Sequence, residues 1–107
     1  MGDVRQRLEL YRRLRAADGD AGAFWSRAFA RLLQRHRRDD GTVWTHAALE
    51  RATGGVVSRP FASNLATGRI NEPGFGKIWA ITLVLGASME EWTEELTGPA
   101  RAEAGAD

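Results

Sequence analysis

The chain has 107 residues, a formal net charge of +1 and no cysteine. This length fits one domain with a single core, and the absence of cysteine excludes disulfides and thiolate metal sites. The N-terminal residues lack the apolar stretch of a secretory signal, and the longest apolar stretch, residues 78–85, is far shorter than a membrane span. We therefore expect a soluble cytoplasmic protein.

Charge is distributed unevenly along the chain. Residues 1–40 carry ten Arg against six acidic residues, residues 41–80 carry four basic residues against two acidic ones, and residues 81–107 carry one Arg against six acidic residues. A basic body with an acidic C-terminal end can bind a polyanion although its overall charge is close to zero. The charge distribution therefore keeps a polyanion among the candidate partners.

Apolar residues recur at helical spacing through most of the chain, and no segment has the pattern of a strand. The predicted helices cover residues 4–17, 23–37, 46–53, 59–66, 75–85 and 89–96. The predicted fold class is therefore all-α. We divide the chain into an N-terminal helix with its linker (1–22), a helical domain (23–97) and a flexible tail (98–107).

The third predicted helix, 46–53, has clear signals at both ends. Thr45 is a predicted N-cap, and Trp44 and Leu49 flank it at the spacing of a hydrophobic staple. Gly54-Gly55 ends the helix, because glycine adopts positive φ at little cost.

The fourth predicted helix, 59–66, follows after a short turn. Ser58 is its predicted cap, and Pro60 is tolerated in the first turn, where its missing N–H has no partner to lose. Phe61 and Leu65 face inward at i, i+4 spacing, and Gly68 ends the helix.

Short motifs occur in a fixed order between Phe24 and Trp92. They are Thr45, Leu49, ATG at 52–54, VS at 57–58, Leu65, Gly68, Arg69, NEP at 71–73 and LGASMEEW at 85–92. In this order the chain resembles the phage-repressor-like helix-turn-helix family (Cro/C1 or XRE type), and it is similar to actinobacterial XRE-type regulators. The resemblance implies a λ repressor-like bundle of about five helices plus the N-terminal amphipathic helix.

Three features depart from the family pattern. The turn GGVV at 54–57 is longer than the compact turn of phage repressors. Glu50 stands where the family usually has a small residue packed between two helices, and Pro60 stands where a polar side chain usually touches a base.

The resemblance implies a sequence-specific transcriptional regulator that inserts helix 59–66 into the major groove of double-stranded DNA, as a dimer on paired half-sites. Arg can bridge O6 and N7 of guanine, and Asn can bridge N6 and N7 of adenine. The candidates for base contact, on the outer face of the helix, are Arg59, Pro60, Ser63 and Asn64. The candidates for contact with the DNA backbone are Thr45, His46, Thr67, Arg69, Asn71 and Lys77.

A row of arginines runs along the second predicted helix and ends just after it. Its members are Arg27, Arg31, Arg35 and Arg38. Like charges four residues apart repel each other, so the row favours a neighbouring anion. The alternatives are DNA phosphates, the acidic residues of helix 89–96 in the same chain or in a second subunit, and a solvated face.

Helix 75–85 is apolar nearly all round, so Trp79, Leu83 and Val84 need a cover beyond the core. Either the N-terminal helix or a second subunit can supply it. Together with Trp92 these residues form the predicted surface for dimerisation or helix packing.

Catalysis has little support in the sequence. His36, Asp39, Asp40 and His46 are of metal-ligand types, but they lack a recognised spacing, and no nucleophile elbow or phosphate loop is present. We expect neither an enzyme nor a cofactor. The alternative function is a protein–protein interaction module on the same fold, such as an antitoxin subunit or a partner of the transcription machinery.

Overall fold

The computed structural model describes residues 4–9, 12 and 21–96 of the chain. All regular elements in these ranges are helical, which confirms the predicted all-α class. The elements are α1 (Ala21–Arg35), α2 (His46–Ala52), α3 (Arg59–Ala66), α4 (Phe75–Leu85) and a 3₁₀ helix (Met89–Thr93). Most of the predicted ends agree to within two residues, and α1 begins inside the predicted linker, at Ala21.

Residues 4–9 and 12 are helical, as predicted for the N-terminal helix. The other residues of the predicted helix 4–17 and the predicted tail 98–107 lie outside the described residues. Val4 is 63 % exposed and Leu8 is 54 % exposed. These two side chains therefore do not cover the apolar residues of α4 that lie outside the core.

The core lies where all five elements between residues 21 and 96 meet. Its fully buried large side chains come from every element and from the turn before α3: Phe29, Leu32, Leu49, Val57, Leu65, Ile81 and Trp92. Helix α3 packs against both α1 and α2. Its inner face is therefore fixed from two sides, while its outer face stays on the surface.

The approach of α1 to the end of α3 depends on two glycines. A methyl group on Gly22 would overlap the carbonyl oxygen of Gly68. Gly68 itself has φ +79°, a left-handed conformation that glycine adopts without strain. Nearby, the Ser26 hydroxyl donates a hydrogen bond of 2.5 Å to the Ala66 carbonyl and joins the same two helices.

The last element differs from the predicted α-helix 89–96. Residues Met89–Thr93 form a 3₁₀ helix, and residues 94–96 continue as α-helix. The Glu91 N–H donates to the Ser88 carbonyl three residues earlier, which is the 3₁₀ pattern. Ser88 caps this element as predicted, and the Glu91 carboxylate accepts from the Ser88 N–H in return, which completes a capping box.

Among the described residues, no helix combines the length and the apolar character needed to cross a membrane.

Candidate functional site

Helix α2 has the predicted ends. The Thr45 hydroxyl accepts a hydrogen bond of 3.0 Å from the Ala48 N–H, so this side chain is occupied as an N-cap. Gly54 and Gly55 then adopt φ +63° and +88°, which turns the chain away from the helix axis. The Thr53 hydroxyl accepts from the Val57 N–H at 3.1 Å and so braces the longer turn.

Helix α3 starts with two acceptors at its N-terminus. The Ser58 hydroxyl accepts from the Phe61 N–H at 3.1 Å, which is the predicted cap. The Glu50 carboxylate, on α2, accepts from the Arg59 N–H at 3.1 Å. A second Glu50 oxygen lies 3.6 Å from Nε of the Arg59 guanidinium. Glu50 therefore satisfies a free N–H of α3 and forms an ion pair with Arg59.

The structure brings the four predicted base-contact residues together on the outer face of α3. Arg59, Pro60 and Ser63 are exposed and Asn64 is half-buried, whereas Ala62 and Leu65 are fully buried on the opposite face. The face therefore offers a guanidinium, a hydroxyl and a carboxamide in less than three helical turns.

The predicted backbone-contact residues are in different environments. Thr67, Arg69 and Asn71 are exposed, and the Thr67 hydroxyl donates to the Ser63 carbonyl at 3.0 Å. His46 is half-buried, and its ring stacks on Phe29 at a centroid distance of 6.2 Å.

Lys77 joins α4 to the turn before α3. Its Nζ lies 5.2 Å from the centroid of the Phe61 ring and donates to the Val56 carbonyl at 3.3 Å. Lys77 thus helps to hold the α2–α3 turn, and its cation lies beside α3.

The arginine row binds the acidic C-terminal segment of the same chain. Arg35 contacts Glu94 at 2.5 Å and Glu91 at 3.4 Å, and Arg27 contacts Glu95 at 2.6 Å. Arg31 donates to the Glu91 carbonyl at 3.0 Å and lies 3.9 Å from Glu94 and 4.0 Å from Glu95. Three of the four row members therefore have an anion within the chain.

The fourth member of the row, Arg38, has a different neighbour. Its guanidinium carbon lies 5.5 Å from the centroid of the Trp44 ring, over the aromatic face.

The ion pairs change the pKa values of the acidic residues. The hydrogen bond from Arg27 lowers the pKa of Glu95 below its ordinary value. Burial raises the pKa of Glu91, but the Ser88 N–H and the His36 ring, whose Nε2 lies 2.9 Å from the carboxylate, outweigh this effect and lower it overall. Hydrogen bonding to Glu94 raises the pKa of Arg35. The charged forms are therefore the stable ones.

Helix α4 carries an exposed apolar stripe, defined here as Phe75, Trp79 and Leu83. These side chains are 70 %, 43 % and 61 % exposed, and the rings of Phe75 and Trp79 stack at a centroid distance of 5.8 Å. Val84 is half-buried. Trp92 is 1 % exposed and packs inside the chain, so it is not available to a second subunit.

The sequence patterns did not indicate the roles of two residues, Glu50 and Phe75. In the sequence Glu50 stands out only as a departure from the family pattern, although it lies two residues before the end of α2 and nine residues before Arg59, whose N–H donates to it. Phe75 is the first residue of α4, and its i, i+4 spacing to Trp79 is a visible sign of a shared face.

Within residues 21–96 and the described N-terminal positions, no group of three or more His, Asp or Glu side chains is placed to hold a metal ion. Comparisons of the chain with known protein families, with curated proteins and with solved structures give no significant match.

Proposed function

We propose that this protein is a sequence-specific double-stranded DNA-binding regulator that inserts α3 into the major groove. The observation that carries the proposal is the polar outer face of α3, where Arg59 and Ser63 are exposed while Ala62 and Leu65 anchor the opposite face in the core. Proteins that read the major groove use an exposed polar helix face of this kind, held by an apolar face in the core. The resemblance to XRE-type regulators supports the same proposal.

The chemistry of this face fits base edges. Arg59 suits the O6 and N7 acceptors of guanine, and Asn64 suits the N6 donor and N7 acceptor of adenine. Ser63 can donate to or accept from either kind of base, and Pro60 offers an apolar contact to a thymine methyl group. In this proposal these four side chains determine the operator sequence.

In this proposal the phosphate contacts come from other residues of the chain. Arg69 and Asn71 are exposed beyond the end of α3, and Lys77 lies beside Phe61. Thr67, His46 and Thr45 complete the set. The hydroxyls of Thr67 and Thr45 already make hydrogen bonds within the chain, so these two residues contribute mainly their backbone, and the His46 ring stacks on Phe29. Cations in such positions supply affinity without sequence preference.

The proposal includes a homodimer formed through the apolar stripe of α4. An exposed row of two stacked aromatic rings and a leucine is costly in water, and a second copy of the chain can cover it. Two subunits then place two α3 helices on half-sites one helical turn apart.

A second candidate is a protein–protein interaction module on the same fold. Two charge features favour it: Glu50 places a negative charge at the start of α3, and Arg27, Arg31 and Arg35 are already paired with acids of the chain. Both features lower the attraction for a polyanion, and the apolar stripe of α4 suits a protein partner.

Selection from a randomised duplex library tests the proposal. The wild-type chain is expected to enrich one motif, and its affinity for that motif is expected to fall with a log–log salt slope that reports several released counterions. The variant Arg59→Ala/Asn64→Ala should lose the motif, whereas Arg37→Ala, an exposed arginine just after α1, should keep it. If the wild type enriches no duplex, DNA binding is rejected in favour of the interaction module.

A further inference from the structure

Glu50 is the acidic side chain that contacts the start of α3. One of its oxygens accepts from the Arg59 N–H at 3.1 Å, and the other lies 3.6 Å from the Arg59 Nε. We propose that Glu50 is a specificity-determining residue, which positions the Arg59 guanidinium for base recognition and repels phosphate from the N-terminus of α3. This inference rests on the proposed DNA-binding function.

The two contacts have different consequences for Arg59. The hydrogen bond to the main-chain N–H attaches Glu50 to the α3 N-terminus, so that its second oxygen stays beside the guanidinium. The ion pair is made by Nε, and both Nη groups remain available to the O6 and N7 acceptors of guanine. The Arg59 side chain is 65 % exposed, so without Glu50 it would sample many rotamers in solvent.

The second role follows from charge. A helix N-terminus attracts anions, because its free N–H groups carry partial positive charge. Glu50 occupies one of these groups with a carboxylate that is 36 % exposed. A DNA phosphate in the same place would meet a negative charge, so binding that uses only the backbone is disfavoured relative to binding that engages the bases.

The closing experiment is built on a mutant cycle of the wild type, Glu50→Gln, Arg59→Ala and the double variant. Glu50→Gln removes the charge and keeps an amide oxygen for the Arg59 N–H. Asp39→Asn is the control for loss of one acid, since Asp39 is exposed in the loop after α1. The readouts are the enriched motif, the Kd for that motif and for a scrambled duplex at fixed salt, and the thermal midpoint.

Glu50→Gln is expected to lower the ratio of specific to scrambled affinity by about tenfold, with the loss confined to the base pair that Arg59→Ala also affects. Its affinity for the scrambled duplex should rise by about threefold, because one negative charge near phosphate is removed. In the Arg59→Ala background, Glu50→Gln should not change base preference any further. A purely structural role would lower the thermal midpoint and leave base preference unchanged.

The outcomes separate the two ideas. The first outcome concerns a wild type that enriches a motif which Arg59→Ala alters. If Glu50→Gln then keeps that motif with an unchanged ratio of specific to scrambled affinity, the proposed role of Glu50 is wrong while DNA binding stands. If Glu50→Gln reduces base preference equally in the wild type and in Arg59→Ala, Glu50 does not act by positioning Arg59. If the wild type enriches no duplex, both ideas fall together. Glu50→Asp, which keeps the charge but is one methylene shorter, should lose preference without the gain in scrambled affinity.

Discussion

The indole Nε1 of Trp92 donates a hydrogen bond of 2.7 Å to the hydroxyl of Thr82, and both residues are buried. The same hydroxyl donates to the Ile78 carbonyl at 2.6 Å, so it serves as acceptor and donor at once. Thr82, on α4, thus provides the acceptor that the buried indole N–H of Trp92 on the 3₁₀ helix requires.

The first prediction concerns this hydrogen bond. Thr82→Val keeps the shape of the side chain and removes the acceptor, so the free energy of unfolding should fall by about 1–3 kcal/mol. In a Trp92→Phe background no indole N–H is left unpaired, and the same substitution should cost close to nothing. Urea denaturation of the four proteins measures the coupling. An equal cost of Thr82→Val in both backgrounds would contradict this account.

The second prediction concerns the contact between Gly22 and Gly68. Gly22→Ala places a methyl group against the Gly68 carbonyl oxygen and forces α1 away from the end of α3, so it should destabilise the fold by about 1–3 kcal/mol. Gly76→Ala is the matched control, since open space surrounds that position within α4. The control should gain about 0.5–1 kcal/mol from helix propensity. Thermal unfolding measures both changes in stability, which should have opposite signs.

The third prediction is a loss of stability in acid. The folded-state pKa values of Glu91 and Glu95 lie below the ordinary value of 4.5. These groups therefore stabilise the fold above about pH 4.5, and the contribution is lost as the pH falls through their folded-state pKa values. Glu91→Gln/Glu95→Gln should flatten the decline of the urea midpoint between about pH 6 and pH 3. Asp39→Asn should leave this decline nearly as steep as in the wild type.

The fourth prediction separates base contact from phosphate contact. Asn64→Ala should reduce discrimination at one base pair of the selected motif by about 1–3 kcal/mol. Arg69→Ala should weaken binding to all duplexes alike and reduce the salt slope by about one. Titrations of matched and mismatched duplexes at several salt concentrations measure both quantities. A change of preference in Arg69→Ala would assign that residue to the bases instead.

The fifth prediction concerns the apolar stripe of α4. Leu83 is 61 % exposed, so Leu83→Glu should leave the fold of the subunit intact while placing a charge in the proposed dimer interface. Light scattering at tens of micromolar is expected to give a dimer for the wild type and a monomer for this variant. Val43→Glu, at a residue 48 % exposed in the loop before α2, should remain dimeric. A monomeric wild type would remove the dimer from the proposal.

Local sequence predicted the helices because their ends depend on contacts between near neighbours. Thr45 caps an N–H three residues ahead, and Ser58 does the same at α3. The alternation of apolar and polar residues in α3 also predicted which face is exposed. The 3₁₀ geometry of Met89–Thr93 was not predicted, since its spacing of apolar residues resembles that of an α-helix.

What the sequence determined by itself is therefore the set of helices, their caps and the outer face of α3. Only the tertiary structure decided among the partners of the arginine row, because Arg35 and Glu94 are 59 residues apart and meet only after the core has oriented their segments. The tertiary structure likewise decided that Trp92 is buried in the core and that Glu50 pairs with Arg59. Such contacts depend on the relative placement of whole helices, which many side chains set together and which no short motif encodes.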